Sequence, residues 1–295
     1  MKRFITEESW VLILVAIVAA FVFPQIGKPF SAYVIYLLMA LMFFSLLRVD
    51  MQKVIGQLAN WKKHLGIYAI IHLLSPAIVL FLKPFFSDEL FLGLILAGVM
   101  SSGLAVVFLS KLYGGTPSEA LVITTFSNIL SPIVVPLLVL LFARVDIAID
   151  PLAMSWTMVK LIIIPLVLAA IVRRTPLNNP LDAYSSQLSA ILLMVIICGI
   201  ISPVRDDIIA NPNQSFILGL VIFGLVGVNF IVGFMFGGNH SERITYGITA
   251  SYKNYTLATV VALTLFTPLV ALPAILYTLV NNLSLVPLGI LKKKR

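Results

Sequence analysis

The chain has 295 residues, 60% of them hydrophobic and 11% charged, with a formal net charge of +8. A soluble domain carries about 25% charged residues, so most of this surface faces something other than water. The basic excess does not mark a nucleic-acid binder, because lysines and arginines gather at the ends of apolar runs and form no stripe with interleaved aromatics.

Apolar runs of spanning length recur along the whole chain. They predict an all-α integral membrane protein with ten spans at about 9–23, 29–47, 64–82, 91–112, 117–142, 152–172, 184–201, 215–236, 244–266 and 268–288. The opening MKRFITEESW has no small-residue cleavage site after a short apolar core, so the first span is expected to be retained. Connections are short, which makes 1–295 one transmembrane domain. Cys198 lies alone in the apolar run MVIICGII and is read as a small core residue. A single cysteine permits no disulfide or cysteine metal site within one chain.

With the N-terminus inside, fourteen basic residues fall in the cytoplasm, from Lys2 and Arg3 to Arg295. Only Lys28, Lys83, Arg144 and Arg205 fall outside. Trp10 and Trp61 sit near span starts, where amphipathic rings prefer the interface. The expected placement is multi-pass in the cell (inner) membrane of a prokaryote, or an organelle envelope in a plant, with both termini cytoplasmic.

An internal repeat organises the spans. PFSAY at Pro29 matches PLDAY at Pro180, GVMSS at Gly98 matches GITAS at Gly247, and NILS at Asn128 matches NNLS at Asn281. The offsets are 151, 149 and 153 residues, about half the chain. Repeat 1 covers about 1–145 and repeat 2 about 146–295. Five spans per repeat is an odd number, so the halves insert with opposite orientation, as in many alternating-access carriers.

The ninth span carries polar residues at its centre: Thr249, Ser251, Tyr252, Lys253, Asn254, Tyr255 and Thr256. A lysine there costs about 2.5–3.5 kcal/mol on insertion scales, so it points to function. The cluster predicts a locally unwound helix whose free backbone lines a cavity. Ser101-Ser102-Gly103 interrupts the fourth span at the matching depth. Two broken helices would aim half-helix ends at one point, N-terminal ends attracting anions and C-terminal ends cations.

Each candidate has a plainer reading beside it. Lys253 is a counter-charge for an anion or an ammonium in the place of a coupling cation; the alternative is snorkelling along its stem. An ammonium at that depth can exchange its proton and link transport to protons. Thr249, Ser251 and Asn254 line the break or form interhelical hydrogen bonds. Thr124, Thr125, Ser127, Asn128, Asn281 and Asn282 complete a cavity or satisfy carbonyls left unpaired by Pro132, Pro136 and Pro287. Lys160 is read as snorkelling, His72 as a hydrogen-bonded core histidine, and Glu119 as a first-turn carboxylate favoured by the helix dipole. Tyr252 and Tyr255 fit packing as well as substrate contact.

With SNILSPIVVPLL in the fifth span, KNYTLA in the ninth and ten spans in inverted halves, the chain resembles the bile acid/sodium symporter family over its full length. It is more distantly similar to the arsenite-efflux and auxin-carrier groups. The resemblance implies a panel domain of spans 1, 2, 6 and 7 that moves against a core domain of spans 3, 4, 5, 8, 9 and 10, with spans 4 and 9 broken and crossing. Sodium-coupled members have glutamate, glutamine and asparagine where this chain has Thr249, Lys253 and Asn254. A sodium-binding serine–asparagine pair aligns with Val106 and Val107, a serine ligand with Ala120, and a glutamine with Ile71; the neighbouring threonine survives as Thr124.

The leading expectation is therefore a secondary carrier of a small organic anion. Its site residues are Lys253, Asn254, Thr249, Ser251, Ser101, Ser102, Thr124, Ser127, Asn128 and Asn282. It would need no metal or cofactor and be sodium-independent or proton-linked. The alternative is a sodium-coupled symporter with an unrecognised ion site. A membrane-embedded enzyme is the reading from another class. It lacks support, since there is no HExxH, the three histidines are scattered, and no carboxylate lies mid-span.

Overall fold

The structure is a computed structural model that describes residues 9–47, 61–103 and 105–293. Arg48 and Lys53 fall outside them, as do Lys2, Arg3, Lys294 and Arg295. The same holds for the side chains of Trp10, Trp61, Lys62, Lys63, Asn282, Lys292 and Lys293. The described residues are mainly helical, with one isolated bridge and no strand among them.

Five helical stretches among them are long and apolar enough to cross a membrane: His64–Phe85, Pro117–Ala143, Pro151–Val172, Asn178–Asp206 and Pro212–Phe236. A sixth is counted if α2 (Pro24–Ser31) and α3 (Val34–Leu46), bent by 82° from each other, form one span. The protein is an all-α multi-pass membrane protein.

The chain divides into two compact units, and each is described by itself. The first draws on Met1–Val49, Val159–Ile217 and Thr278–Arg295. In it α1 (Ser9–Val22), α2 and α3 pack on α10 (Asn178–Ala210). α10 is longer at both ends than the 184–201 expected from hydropathy, because it continues past Pro203 into a polar turn. Arg205 there donates through Nε to Phe21 O at 2.7 Å, where the carbonyls of α1 run out of intrahelical partners, and through Nη1 to Asp206 Oδ1 at 2.7 Å. α9 (Pro151–Val172) begins outside this unit and ends within it. On α9, Lys160 is exposed rather than buried.

The second unit draws on Asp50–Met158 and Leu218–Tyr277. α4 (Trp61–Ala69) passes through a π-turn at Ile70–Leu74 and α5 (Ser75–Val79) into a 3-10 turn at Leu80–Phe85. Pro76 accounts for the wide turn: it has no N–H for the residue 72 carbonyl, and its ring would clash there in a regular helix. α6 (Asp88–Val99) is the centre of the unit, buried at every position from Leu90 to Val99. Its start is marked by Ser87, whose Oγ accepts from Leu90 N at 3.4 Å, and by Asp88 and Glu89 in the first turn. Around it lie α7 (Val106–Tyr113), α8 (Pro117–Ala143), the later part of α11 (Pro212–Phe236), α12 (His240–Ser251), α13 (Tyr255–Leu265) and the start of α14 (Pro268–Lys293). Asn239 caps α12, accepting from Glu242 N at 3.0 Å, while Glu242 reaches back to Gly238 N at 3.0 Å.

Candidate functional site

The fourth and ninth apolar runs are each divided. α6 stops at Val99 and α7 starts at Val106; α12 stops at Ser251 and α13 starts at Tyr255. The two breaks pair with each other. Ser102 and Lys253 form an antiparallel bridge, with Gly103 N donating to Tyr252 O at 2.8 Å and Asn254 N to Ser101 O at 2.7 Å. The bridge satisfies backbone groups that unwinding frees, which the middle of a membrane protein requires. It also explains Gly103. A Cβ at that position would sit 2.9 Å from Lys253 O, so the two backbones approach this closely only because no side chain intervenes.

Four half-helix ends meet at this bridge: the C-terminal ends of α6 and α12 and the N-terminal ends of α7 and α13. The C-terminal end of α6 holds its cation from within the chain. Lys253 Nζ donates to Gly98 O and, at 3.1 Å, to Ser75 Oγ, while His72 Nδ1 lies 2.7 Å from Val99 O. Carbonyls at a helix C-terminus carry partial negative charge, and an ammonium is their electrostatic complement. Lys253 is 5% exposed, and among the described residues no carboxylate lies within ion-pair distance of its Nζ. Snorkelling is therefore excluded for this lysine in this conformation. Asn229 Nδ2 supports the arrangement from α11 by donating to Ser75 Oγ at 2.7 Å.

On the other side of the bridge the polar residues of α8 form a network. Ser101 Oγ donates to Asn128 Oδ1 at 3.0 Å, and Asn128 Nδ2 donates to Ser102 O at 2.9 Å and Thr124 O at 2.8 Å. Ser127 Oγ accepts from Ser102 N at 3.3 Å, and Thr124 Oγ1 donates to Ser102 Oγ at 3.4 Å. Asn254 caps α13 through Leu257 N at 3.2 Å and donates from Nδ2 to Asn128 Oδ1 at 3.2 Å.

Seven of the expected site residues thus come together: Lys253, Asn254, Ser101, Ser102, Thr124, Ser127 and Asn128. Thr249 and Ser251 do not join them through their hydroxyls. Thr249 Oγ1 donates to Tyr246 O at 3.1 Å, and Ser251 Oγ to Gly247 O at 2.7 Å, both within their own helix. The side chain of Asn282 lies outside the described residues. His72 is the buried, hydrogen-bonded histidine expected. Tyr255 is a packing residue, stacked on Tyr277 at 4.4 Å between ring centroids. Glu119 stands in the first turn of α8 as expected, yet it is buried and accepts from Tyr246 Oη at 2.7 Å.

Sequence reasoning missed Ser75 and Asn229. Ser75 precedes Pro76 in an ordinary apolar run, and a lone serine there carries no signal. Asn229, a polar amide eighteen residues into the apolar α11, was visible as an anomaly.

The chain matches the SBF-like CPA transporter family over residues 9–283. It is 24% identical over 297 residues to the uncharacterized sodium-dependent transporter YocS of Bacillus subtilis, an alignment that covers 96% of this chain and 90% of that protein. Sodium/bile acid cotransporter 7 of Rattus norvegicus is 26% identical over 310 residues, covering 94% and 89% of the two chains. The mouse protein of the same name is 27% identical over 281 residues, covering 85% and 81%. The chain belongs to the SBF-like CPA transporter family: it is a membrane transporter of the bile acid/sodium symporter kind, not an enzyme.

Proposed function

We propose that this protein is a secondary carrier of a small organic anion, working by alternating access, in which the Lys253 ammonium takes the place of a coupling sodium ion. The observation that carries the reading is the bond from Lys253 Nζ to Gly98 O and Ser75 Oγ: a charge belonging to the chain sits at the cation-attracting end of α6. The positions where relatives of this type hold sodium support it. Val106, Ala120 and Ile71 are buried and apolar, and the Thr249 hydroxyl is bonded within its own helix. Sodium needs several oxygen ligands; Val106, Ala120 and Ile71 offer none, and Thr249 offers one hydroxyl oxygen in place of a carboxylate. The N-terminal ends of α7 and α13 supply positive dipole ends for an anion.

The same reading has ten spans in two inverted repeats and a panel of spans 1, 2, 6 and 7 distinct from a core of the remaining six. The two-unit division agrees for α1 to α3 and α10 in one unit and α4 to α8, α12 and α13 in the other, while α9, α11 and α14 are each shared between the units. The reading places the protein in the cell membrane, and the basic bias supports both termini in the cytoplasm. A second reading, a sodium-coupled organic anion symporter, is favoured by the names of the relatives, one sodium-dependent transporter and two sodium/bile acid cotransporters.

Thermal stability of the purified protein against a panel of small organic anions, in sodium and in choline salts, separates the two. An anion that stabilises equally in both salts, with the effect lost in Lys253→Gln, supports the ammonium. Stabilisation only in sodium returns the sodium-coupled mechanism.

A further inference from the structure

The second unit contains a second buried ionisable cluster, which the reading above does not use. Of the acidic residues described, Glu119 alone is buried. Its Oε1 accepts from Tyr246 Oη at 2.7 Å and lies 3.6 Å from His64 Nε2. His64 and Tyr246 are themselves 4% and 2% exposed. Three elements meet here: α4 brings His64, the first turn of α8 brings Glu119, and α12 brings Tyr246. Tyr246 stands seven residues before Lys253, about 10 Å along the helix at 1.5 Å per residue, so the cluster and the bridge are different places on the same broken helix.

We propose that His64, Glu119 and Tyr246 form a proton-binding site separate from Lys253, in which His64 Nε2 takes up a proton against the Glu119 carboxylate. A buried imidazole facing a carboxylate has two states that differ by one charge. With the proton bound, imidazolium and carboxylate form a pair of zero net charge, the state a water-poor setting accommodates. With the proton released to water, a neutral imidazole faces the carboxylate, and the Tyr246 hydroxyl carries more of the stabilisation of its charge. Occupancy is thereby transmitted to α12, because the phenol that answers the change belongs to the half-helix that ends in the break. Other titratable groups on the elements packed here are Tyr68 on α4, His72 on the π-turn, Lys111 and Tyr113 on α7, and His240, Glu242 and Arg243 on α12. The side chains of Lys62 and Lys63 on α4 lie outside the described residues.

The test needs no transported substrate. Full-length protein is reconstituted into liposomes, adsorbed on a solid-supported membrane and given pH jumps, and the transient charge displacement is recorded. Glu119→Gln and His64→Gln are expected to reduce the wild-type transient at least tenfold, while Ser110→Ala leaves it unchanged. Tyr246→Phe, which keeps the ring, should retain the transient and move its pH midpoint. Wild-type amplitude in both Glu119→Gln and His64→Gln overturns the proposal, as does a transient lost only in Lys253→Gln, which would place proton binding at the lysine. If Glu119→Gln does not reconstitute, nitrogen-15 NMR of histidine-labelled wild-type protein decides. A histidine signal that is absent from His64→Gln spectra and changes charge as the pH is varied supports the site; a His64 signal constant over the whole range in which the protein stays folded sinks it.

Discussion

Lys253→Gln is the substitution on which the functional reading turns, because its effects on stability and on ligand response separate. The ammonium makes two buried hydrogen bonds, to Gly98 O and Ser75 Oγ. Bonds to a charged group contribute about 1.5–3 kcal/mol each, together about 3–6 kcal/mol. The C-terminal end of α6 adds up to about 2 kcal/mol. Against this stands the desolvation of a buried ion, several kcal/mol even after relaxation. The terms nearly cancel, and glutamine keeps one donor for Gly98 O, so the net change should lie within about 2 kcal/mol of zero. At roughly 2–4 °C per kcal/mol for a chain somewhat smaller than this one, the melting temperature in detergent should move by less than about 8 °C. The anion response should behave differently. A ligand at a hundred times its dissociation constant adds about 2.7 kcal/mol, and that gain should vanish if the ammonium supplies the charge. Thermal unfolding with and without the stabilising anion measures both quantities in one experiment. A collapse in basal stability beyond about 15 °C would make Lys253 a structural cap for α6. An unchanged anion gain in the folded variant would remove it from the binding mechanism.

Three further outcomes follow from the same geometry. Thr249→Glu combined with Lys253→Gln puts back the two ligand types of the sodium-coupled relatives; sodium but not choline should then raise the melting temperature, and no sodium response would mean that the valines and alanine at 106, 107 and 120 have closed the site. Gly103→Ala pushes a methyl to 2.9 Å from Lys253 O and should lower stability by about 1–3 kcal/mol, read as a lower melting temperature than that of Ser110→Ala. For topology, on a Cys198→Ser background, cysteines at positions 83 and 144 should react with a membrane-impermeant maleimide added to intact cells, while those at 173 and 243 react only after lysis; the reverse pattern would invert the orientation.

Much of the site was legible because the membrane makes polar residues conspicuous. Lys253 and Asn254 at mid-span predicted an unwound segment, and α12 and α13 are separated there. The match between GVMSS and GITAS pointed to the partner break at residues 100–105. The backbone pairing itself was not legible, since a bridge such as Ser102 with Lys253 leaves no pattern in side-chain type. Thr249 and Ser251 were indistinguishable from lining residues in the sequence, because a hydroxyl that bonds its own helix one turn back is written with the same letter as one that faces a cavity. Glu119 shows the converse. A first-turn carboxylate is ordinarily a solvated dipole partner, and only the approach of Tyr246 and His64 from distant segments buries it.

If Lys253 supplies the cation, the thermodynamics of the carrier change as well as its ligand list. A sodium ion bound from solution contributes its gradient to every cycle and must leave before the empty site can reset. An ammonium attached to the break between α12 and α13 neutralises the same helix ends but travels with the protein, so it contributes no gradient. Transport would then run down the anion's own gradient, or exchange one anion for another, unless a proton binds and leaves elsewhere in the cycle. The His64–Glu119 pair is placed to supply that step, joined to α12 through the Tyr246 hydroxyl but away from the bridge. Proteoliposomes loaded with a stabilising anion discriminate between these cases. With Lys253 as a fixed charge and the pair inactive, counterflow should be insensitive to sodium and to the pH gradient alike. With the pair active, an imposed pH gradient should drive accumulation in wild type, and Glu119→Gln should reduce it to gradient-independent exchange. Accumulation that follows sodium at constant pH would refute both, since neither Lys253 nor Glu119 would then be the source of coupling.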